Sequence, residues 1–171
     1  AFYAYPPFPV LLEVPFVAVG RLFGLQMWDG PAESMVQRQM VAFSLIALMA
    51  LLDWGYRSLF SSPVISLCWA FFSIAAGACL GSLGAAFNSQ VPAVVFITWS
   101  QVLFLRERYG KGSWSGWQVG ALLALGYFSR PTGAVWIPPA LLYVLWRKPR
   151  QFVPALLTLV GLLGLYTLGC E

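Results

Sequence analysis

The chain has 171 residues, of which 60% are hydrophobic and 9% charged, and its mean hydropathy is +0.76. Soluble domains carry about 25% charged residues, so ten Lys and Arg with six Asp and Glu cannot coat a soluble fold of this length. A soluble globular enzyme, a disordered chain and, despite the net charge of +4, a nucleic-acid binder are thereby excluded.

The apolar runs are continuous rather than alternating, which predicts an all-α, polytopic transmembrane helix bundle and not a β-barrel. A span takes about 20 apolar residues, so the length allows about six or seven helices joined by short loops. Residues 1–37 are expected to form an outer loop with an interfacial helix. They open on Tyr3, Tyr5, Pro6, Pro7 and Pro9, and the apolar stretch 8–24 is interrupted by Glu13 and Pro15. Such a stretch lies in the interface or re-enters at least as readily as it spans. Asp29, Gly30 and Pro31 are expected as a loop, with Glu33 in the first turn of a helix.

Residues 38–171 are expected to hold about six transmembrane helices, the first over 38–56. Asp53 and Arg57, four residues apart near its end, predict an ion pair. The second span, 64–87, contains Gly77, Gly81 and Gly84, residues that let helix backbones approach closely in lipid. Asn88, Ser89 and Gln90 form a turn, and Pro92 suits the first turn of the third span, 91–105. A basic loop with Arg106, Arg108 and Lys111 follows.

Residues 114–146 are apolar and broken once, at Ser129-Arg130-Pro131-Thr132-Gly133. One helix of that length would measure about 50 Å, far more than a hydrocarbon core of about 30 Å. Two short helices meeting below the membrane surface fit better, because Pro131 lacks a backbone donor and disfavours helix at Arg130. Arg147, Lys148 and Arg150 close the pair, and the last span covers 152–168.

There is no His, and the three Cys are Cys68, Cys79 and Cys170. On one helix Cys68 and Cys79 would sit about 16 Å apart along the axis, too far for a disulfide. Both are expected as small, buried packing residues, and neither a metal nor any other cofactor is expected. The start at Ala1 and the end at Cys170-Glu171, directly after an apolar run, predict a piece of a longer membrane protein.

Basic residues mark cytoplasmic loops. Arg57, Arg106, Arg108, Lys111, Arg147, Lys148 and Arg150 fall in one set of alternate loops, and only Arg21, Arg38 and Arg130 in the other. The first set is therefore cytoplasmic, where it meets anionic lipid and not nucleic acid. The turn 88–90 and the break at Arg130 then share the exoplasmic side. Arg130 is the leading site candidate, because an intramembrane Arg is costly and its fork of donors matches a phosphate. The plain alternative is an Arg at a helix end snorkelling to headgroups. Asn88 and Gln90 can bond a sugar or phosphate, or simply make an interfacial turn. Asp29 and Glu33 share a face if helical, yet a loop and a helix first turn explain them better. Glu13 is either a site or an interfacial cap. Trp28, Trp54, Trp114, Trp117, Trp136 and Trp146 fit an aromatic belt.

Three stretches resemble the integral-membrane glycosyltransferases of the C superfamily, which include the protein O-mannosyltransferases and aminoarabinose transferases. Tyr5-Pro6-Pro7-Phe8-Pro9 with Leu22-Phe23-Gly24 is similar to an aromatic-Pro-Pro segment with a trailing Leu-Phe-Gly. Asn88-Ser89-Gln90-Val91-Pro92 stands where such enzymes carry a polar pair before a Pro-led helix. Gly126-Tyr127-Phe128-Ser129-Arg130-Pro131-Thr132-Gly133, then Pro138-Pro139, resembles their Gly-x-x-x-Thr-Arg-Pro-x-Gly stretch.

The resemblance implies a sugar donor linked to polyprenyl phosphate and transfer on the exoplasmic side. Arg130 would be a donor-phosphate contact, and Asn88 and Gln90 would orient the donor. The acceptor stays open, and membrane lipids are the other partner. The implied acidic catalytic residue would lie upstream of Ala1, and a glutamate often stands at the place of Gln90. The stretch alone is then expected to be inactive. The setting is a multi-pass integral membrane protein of a bacterial inner membrane or its equivalent. A segment of a transporter or lipid flippase is the alternative, because broken helices line their sites too.

Overall fold

The computed structural model describes residues 7–24, 30–76 and 90–168, and every regular element among them is helical. These are α1 (Pro7–Leu22), α2 (Gly30–Tyr56), α3 (Pro63–Ala76), α4 (Gln90–Arg108), α5 (Gly116–Ser129), a 3-10 segment (Pro131–Trp136), α6 (Ile137–Arg147) and α7 (Pro149–Leu168). The all-α bundle with short and broken helices is thus what forms. Two of the described helical stretches are long and apolar enough to cross a membrane, Ser34–Tyr56 and Pro149–Leu168. Their outward faces carry exposed Phe43, Ile46, Leu157, Val160 and Leu165, as a lipid-facing surface requires.

α5 is the central element. It packs against α4, α7 and α1, while α2 joins α4 to α3 and α6 lies on α7. Val119, Leu123, Ala124 and Phe128 of α5 meet Val144 of α6 and Ala155 and Leu159 of α7 in one core. Lipid tails are as apolar as such a core, so apolar burial does not drive helices together; close backbone packing does. α5 achieves it with Gly116 and Gly120, one turn apart on one face. A β-carbon on Gly116 would overlap the carbonyl oxygen of Gln151, and one on Gly120 that of Ala155. The Gly116 amide also donates to Gln151 Oε1 at 2.7 Å, which satisfies a donor the helix start leaves free. The glycines singled out from the sequence for this role, Gly77, Gly81 and Gly84, lie outside the described residues.

α2 starts at Gly30, so residues 30–37 are helical and continue the helix of the first span at its N-terminal end instead of looping. Pro31 falls in the first turn, where its missing N–H costs no bond. Asp29 lies outside the described residues. The expected Asp53–Arg57 pair forms, with Arg57 Nε 2.8 Å from Asp53 Oδ2. Ser66 Oγ of α3 donates to the other Asp53 oxygen, and the Tyr56 and Ser73 hydroxyls pair at 2.7 Å. α3 therefore faces α2 with a stripe of small residues, Ser66, Ala70 and Ser73, of which Ser66 and Ala70 are fully buried.

That stripe corrects the expectation for Cys68, which is exposed. Two residues beyond Ser66 a helix has turned about 200°, so Cys68 points away from α2, beside Trp69 and Phe72. Cys79 lies outside the described residues. Ser66→Ala is expected to cost about 1 kcal/mol, the worth of one hydrogen bond between membrane helices. The midpoint of SDS-induced unfolding measures it, and an unchanged midpoint would mean that the Asp53–Ser66 bond does not hold α3.

The two basic loops meet around the end of α4. Arg106 Nη1 donates to the Trp54 carbonyl at 2.9 Å, and Lys111 Nζ to the Arg57 carbonyl at 3.0 Å. Glu107 lies 3.9 Å from Arg147 and 3.7 Å from Lys148. The chain thus has a basic end, away from which α4 and α5 both reach toward the break.

Candidate functional site

The break begins where α5 stops at Ser129. Arg130 is in extended conformation, φ −156° and ψ 121°, and caps both flanking helices through its backbone. Its N–H donates to the Gly126 carbonyl at 3.1 Å, and its own carbonyl accepts from Gly133 N–H at 2.8 Å. Pro131 opens the 3-10 segment, where its fixed φ suits the first position and it has no donor to lose. The chain then folds back on itself. A β-carbon on Gly133 would sit 3.1 Å from the Gly126 carbonyl oxygen, and one on Gly126 would sit 3.3 Å from Ile97 Cγ1 of α4. Gly133 therefore serves close backbone approach, and Gly126 leaves room for the Ile97 side chain. Just before the break, Ser129 is fully buried and its Oγ donates to the Leu125 carbonyl at 2.8 Å. Phe128 stacks on Tyr166 of α7 with ring centroids 4.3 Å apart. Core contacts on both sides thus hold a half-buried Arg130 in place.

The guanidinium-bearing residue lines an open cavity of about 210 Å³ with Ala93, Val94 and Ile97 of α4 and Thr132, Gly133 and Trp136 of the 3-10 segment. Ile97 and Trp136 also line a second hollow of about 180 Å³, whose other walls are Ser100, Gln101 and Phe104 of α4 and Pro139, Ala140 and Tyr143 of α6. The two hollows lie side by side along α4 and share Ile97 and Trp136 as walls, the first beside Arg130 and the second largely apolar; both are open, and together they form a shallow cleft. A third hollow of about 340 Å³, apolar but for Ser44, lies between α1, α2 and the start of α4, against Leu12, Phe16, Met40, Phe43, Pro92 and Phe96.

Of the residues singled out from the sequence, Arg130 is in the cleft. Gln90 opens α4, one turn before Ala93, so its backbone is at the same end as the mouth. Asn88 lies outside the described residues. Glu33 is in the first turn of α2. Glu13 is half-buried on α1, is engaged with a neighbour, and does not line the Arg130 mouth. Among the described residues, no three His, Cys, Asp or Glu side chains come together as a metal site. Sequence reasoning missed Ala93, Ile97 and the wall role of Trp136. The available signal was the helical spacing of Ala93 and Ile97, four apart on a helix that starts at a polar turn.

A guanidinium at the mouth of an apolar cleft suits an amphiphile with an anionic head. The comparisons point the same way. The family model described as dolichyl-phosphate-mannose-protein mannosyltransferase matches residues 40–168, which takes in α4, the break and the whole cleft. No curated protein and no solved structure matches the chain. The family is one of membrane-integral glycosyltransferases of mannosyltransferase type, which sets the transporter alternative aside and agrees with the apolar helices. With three quarters of its length covered by that match, the chain belongs to the dolichyl-phosphate-mannose-protein mannosyltransferase family.

Proposed function

We propose that this chain forms the donor-binding part of a membrane mannosyltransferase that takes mannose from a polyprenyl-phosphate or dolichyl-phosphate carrier on the exoplasmic side. The single observation that carries the proposal is the cleft: Arg130 at its mouth, and apolar walls shared through Ile97 and Trp136 below it. A polyprenyl-phosphate sugar has the matching parts, a phosphodiester head and an apolar tail. The head lies at Arg130 and the first isoprene units run along α4 toward Phe104 and Tyr143. Gln90, at the start of α4, and Asn88 orient the head.

In the transfer, the bond between the anomeric carbon and the phosphate oxygen breaks, and the oxygen leaves with the electron pair. An acceptor hydroxyl forms the new bond and gives its proton to a base, to which no described residue is assigned. The leaving phosphate goes from one negative charge to two as the bond breaks. The break fixes the Arg130 backbone beside the cleft, and the guanidinium carried there stabilises that growing charge. The family's name specifies a protein acceptor, and we propose one here too.

The topology proposed with this reading puts residues 1–37 on the outer side, with α1 in the interface, and about six transmembrane helices in 38–171. It is a multi-pass protein of a bacterial inner membrane or its equivalent, with the basic end in the cytoplasm.

The test is transfer of labelled mannose from polyprenyl-phosphate mannose by the full-length protein in proteoliposomes. No transfer to any hydroxyl acceptor, under conditions where the protein is folded, would overturn the proposal. Ile97→Trp probes the tail path separately, because its indole fills the junction of the two hollows. It is expected to raise KM for a long-chain donor about tenfold. KM for a donor with two isoprene units should rise much less. Equal effects on both donors would move the tail out of this cleft.

A further inference from the structure

At the end of the bundle opposite Arg130, five cations share one network with two carboxylates. Arg57 is neutralised by Asp53 at 2.8 Å. Glu107 is a single carboxylate between Arg147 and Lys148. Arg106 and Lys111 are held differently. The Arg106 guanidinium lies 4.2 Å from the Trp54 ring centre and donates to the carbonyls of Trp54 and Lys111 at 2.9 and 2.8 Å. Lys111 donates to the Arg57 carbonyl at 3.0 Å. Lys148 lies 4.6 Å over the Trp114 ring.

Carbonyls and ring faces fix where these cations are but cancel none of their charge. A topology signal does not require this. It needs only that charges stay out of the hydrocarbon, and mobile Lys and Arg do that at no entropic cost. Here long side chains lie against carbonyls and ring faces while a surplus of positive charge remains. Fixed, uncompensated cations are what an anionic ligand is matched by.

We propose that this collar around the C-terminal end of α4 is a binding site for the headgroup of an anionic phospholipid. Its surroundings favour a lipid over a soluble anion. Exposed Trp54, Trp117 and Trp146 stand at the same end, as headgroup-level aromatics do. Exposed Leu142, Leu145 and Val153 continue from it along α6 and α7, where acyl chains have an apolar surface to lie on. Exposed Arg108 and Arg150 flank it. The site is separate from the donor cleft and does not depend on the donor reading.

The test is native mass spectrometry of the purified protein released from nanodiscs, with cardiolipin, phosphatidylglycerol and phosphatidylcholine as probes. Retention of cardiolipin or phosphatidylglycerol well above phosphatidylcholine is expected. Lys111→Gln, which leaves the Arg106–Trp54 stack in place, is expected to lower that retention about fivefold, with Arg147→Gln acting similarly. Thermal melts of both variants show whether they are folded, and a folded variant with undiminished retention overturns the proposal. Equal retention of all three lipids overturns it as well. So does competition by soluble pyrophosphate at the lipid's own concentration, which would identify a soluble anion as the ligand. Loss of retention in Arg130→Gln but not in the collar variants would place the lipid at the other end and also overturn it.

Discussion

Arg130→Gln is expected to lower kcat/KM for mannosyl transfer by the full-length protein by about two to three orders of magnitude. That is the range observed when one preorganised donor is removed from a developing anion. Glutamine keeps much of the length and one amide donor pair but loses the charge and the two-pronged fork. The loss should fall on kcat as well as on KM, since the phosphate gains charge only as the bond breaks. Arg130→Lys restores the charge without the fork and should recover part of the rate. The backbone at this position already makes both its capping bonds, to Gly126 and from Gly133, and keeps them in either variant. Thermal unfolding should therefore shift little. Transfer at the wild-type rate by Arg130→Gln would remove this residue from the site.

Gly120→Val should be the most damaging single change to the fold. In an exposed helix, replacing glycine gains up to about 1 kcal/mol, because glycine is the poorer helix former. Here the sign reverses. The new β-carbon would overlap the Ala155 carbonyl oxygen, and a γ-methyl would meet Thr158, whose Cβ is already 3.0 Å from the β-carbon position. Backbone cannot rotate aside as a side chain can, so α5 and α7 must separate. A cost of about 3 kcal/mol or more is expected, at the upper end of overpacking penalties. Gly161→Val and Gly164→Val on α7 are the controls, because a β-carbon at either position meets nothing within 4 Å. The midpoint of SDS unfolding, or the monodisperse yield in detergent, should fall for Gly120→Val and stay near wild type for the controls. If all three behave alike, the close α5–α7 crossing is wrong. Transfer activity should fall with the fold, because Phe128, two residues before Arg130, rests on Tyr166 of α7.

The break between α5 and α6 was legible because it is written in backbone chemistry. A proline after Arg130 forbids the regular helix locally, whatever surrounds it. The pair Asp53–Arg57 was legible for the same kind of reason, since four residues along a helix bring two side chains together. The walls of the cleft were not. Ala93, Val94 and Ile97 are apolar residues in an apolar run, and only the packing of α4 against the 3-10 segment distinguishes them from their neighbours. Gly116 and Gly120 have the spacing that drew attention to Gly77 and Gly81, but spacing alone does not say which helix comes close. Cys68 shows the reverse error. Small size suggested burial, whereas the face of α3 turned toward α2 had already been taken by Ser66 and Ala70.

The length of α5 has a consequence for where the guanidinium lies. Its 14 residues rise about 21 Å, while the hydrocarbon of a bilayer is about 30 Å thick. With the proposed topology, in which α5 starts at the headgroups of the basic end, Arg130 stops short of the far surface by roughly a third of the slab. The covalent chain thus acts as a depth gauge. In a thin bilayer the same unaltered protein presents its cation almost at the far waterline, and in a thick one it draws the cation, and any phosphate resting on it, further beneath the surface.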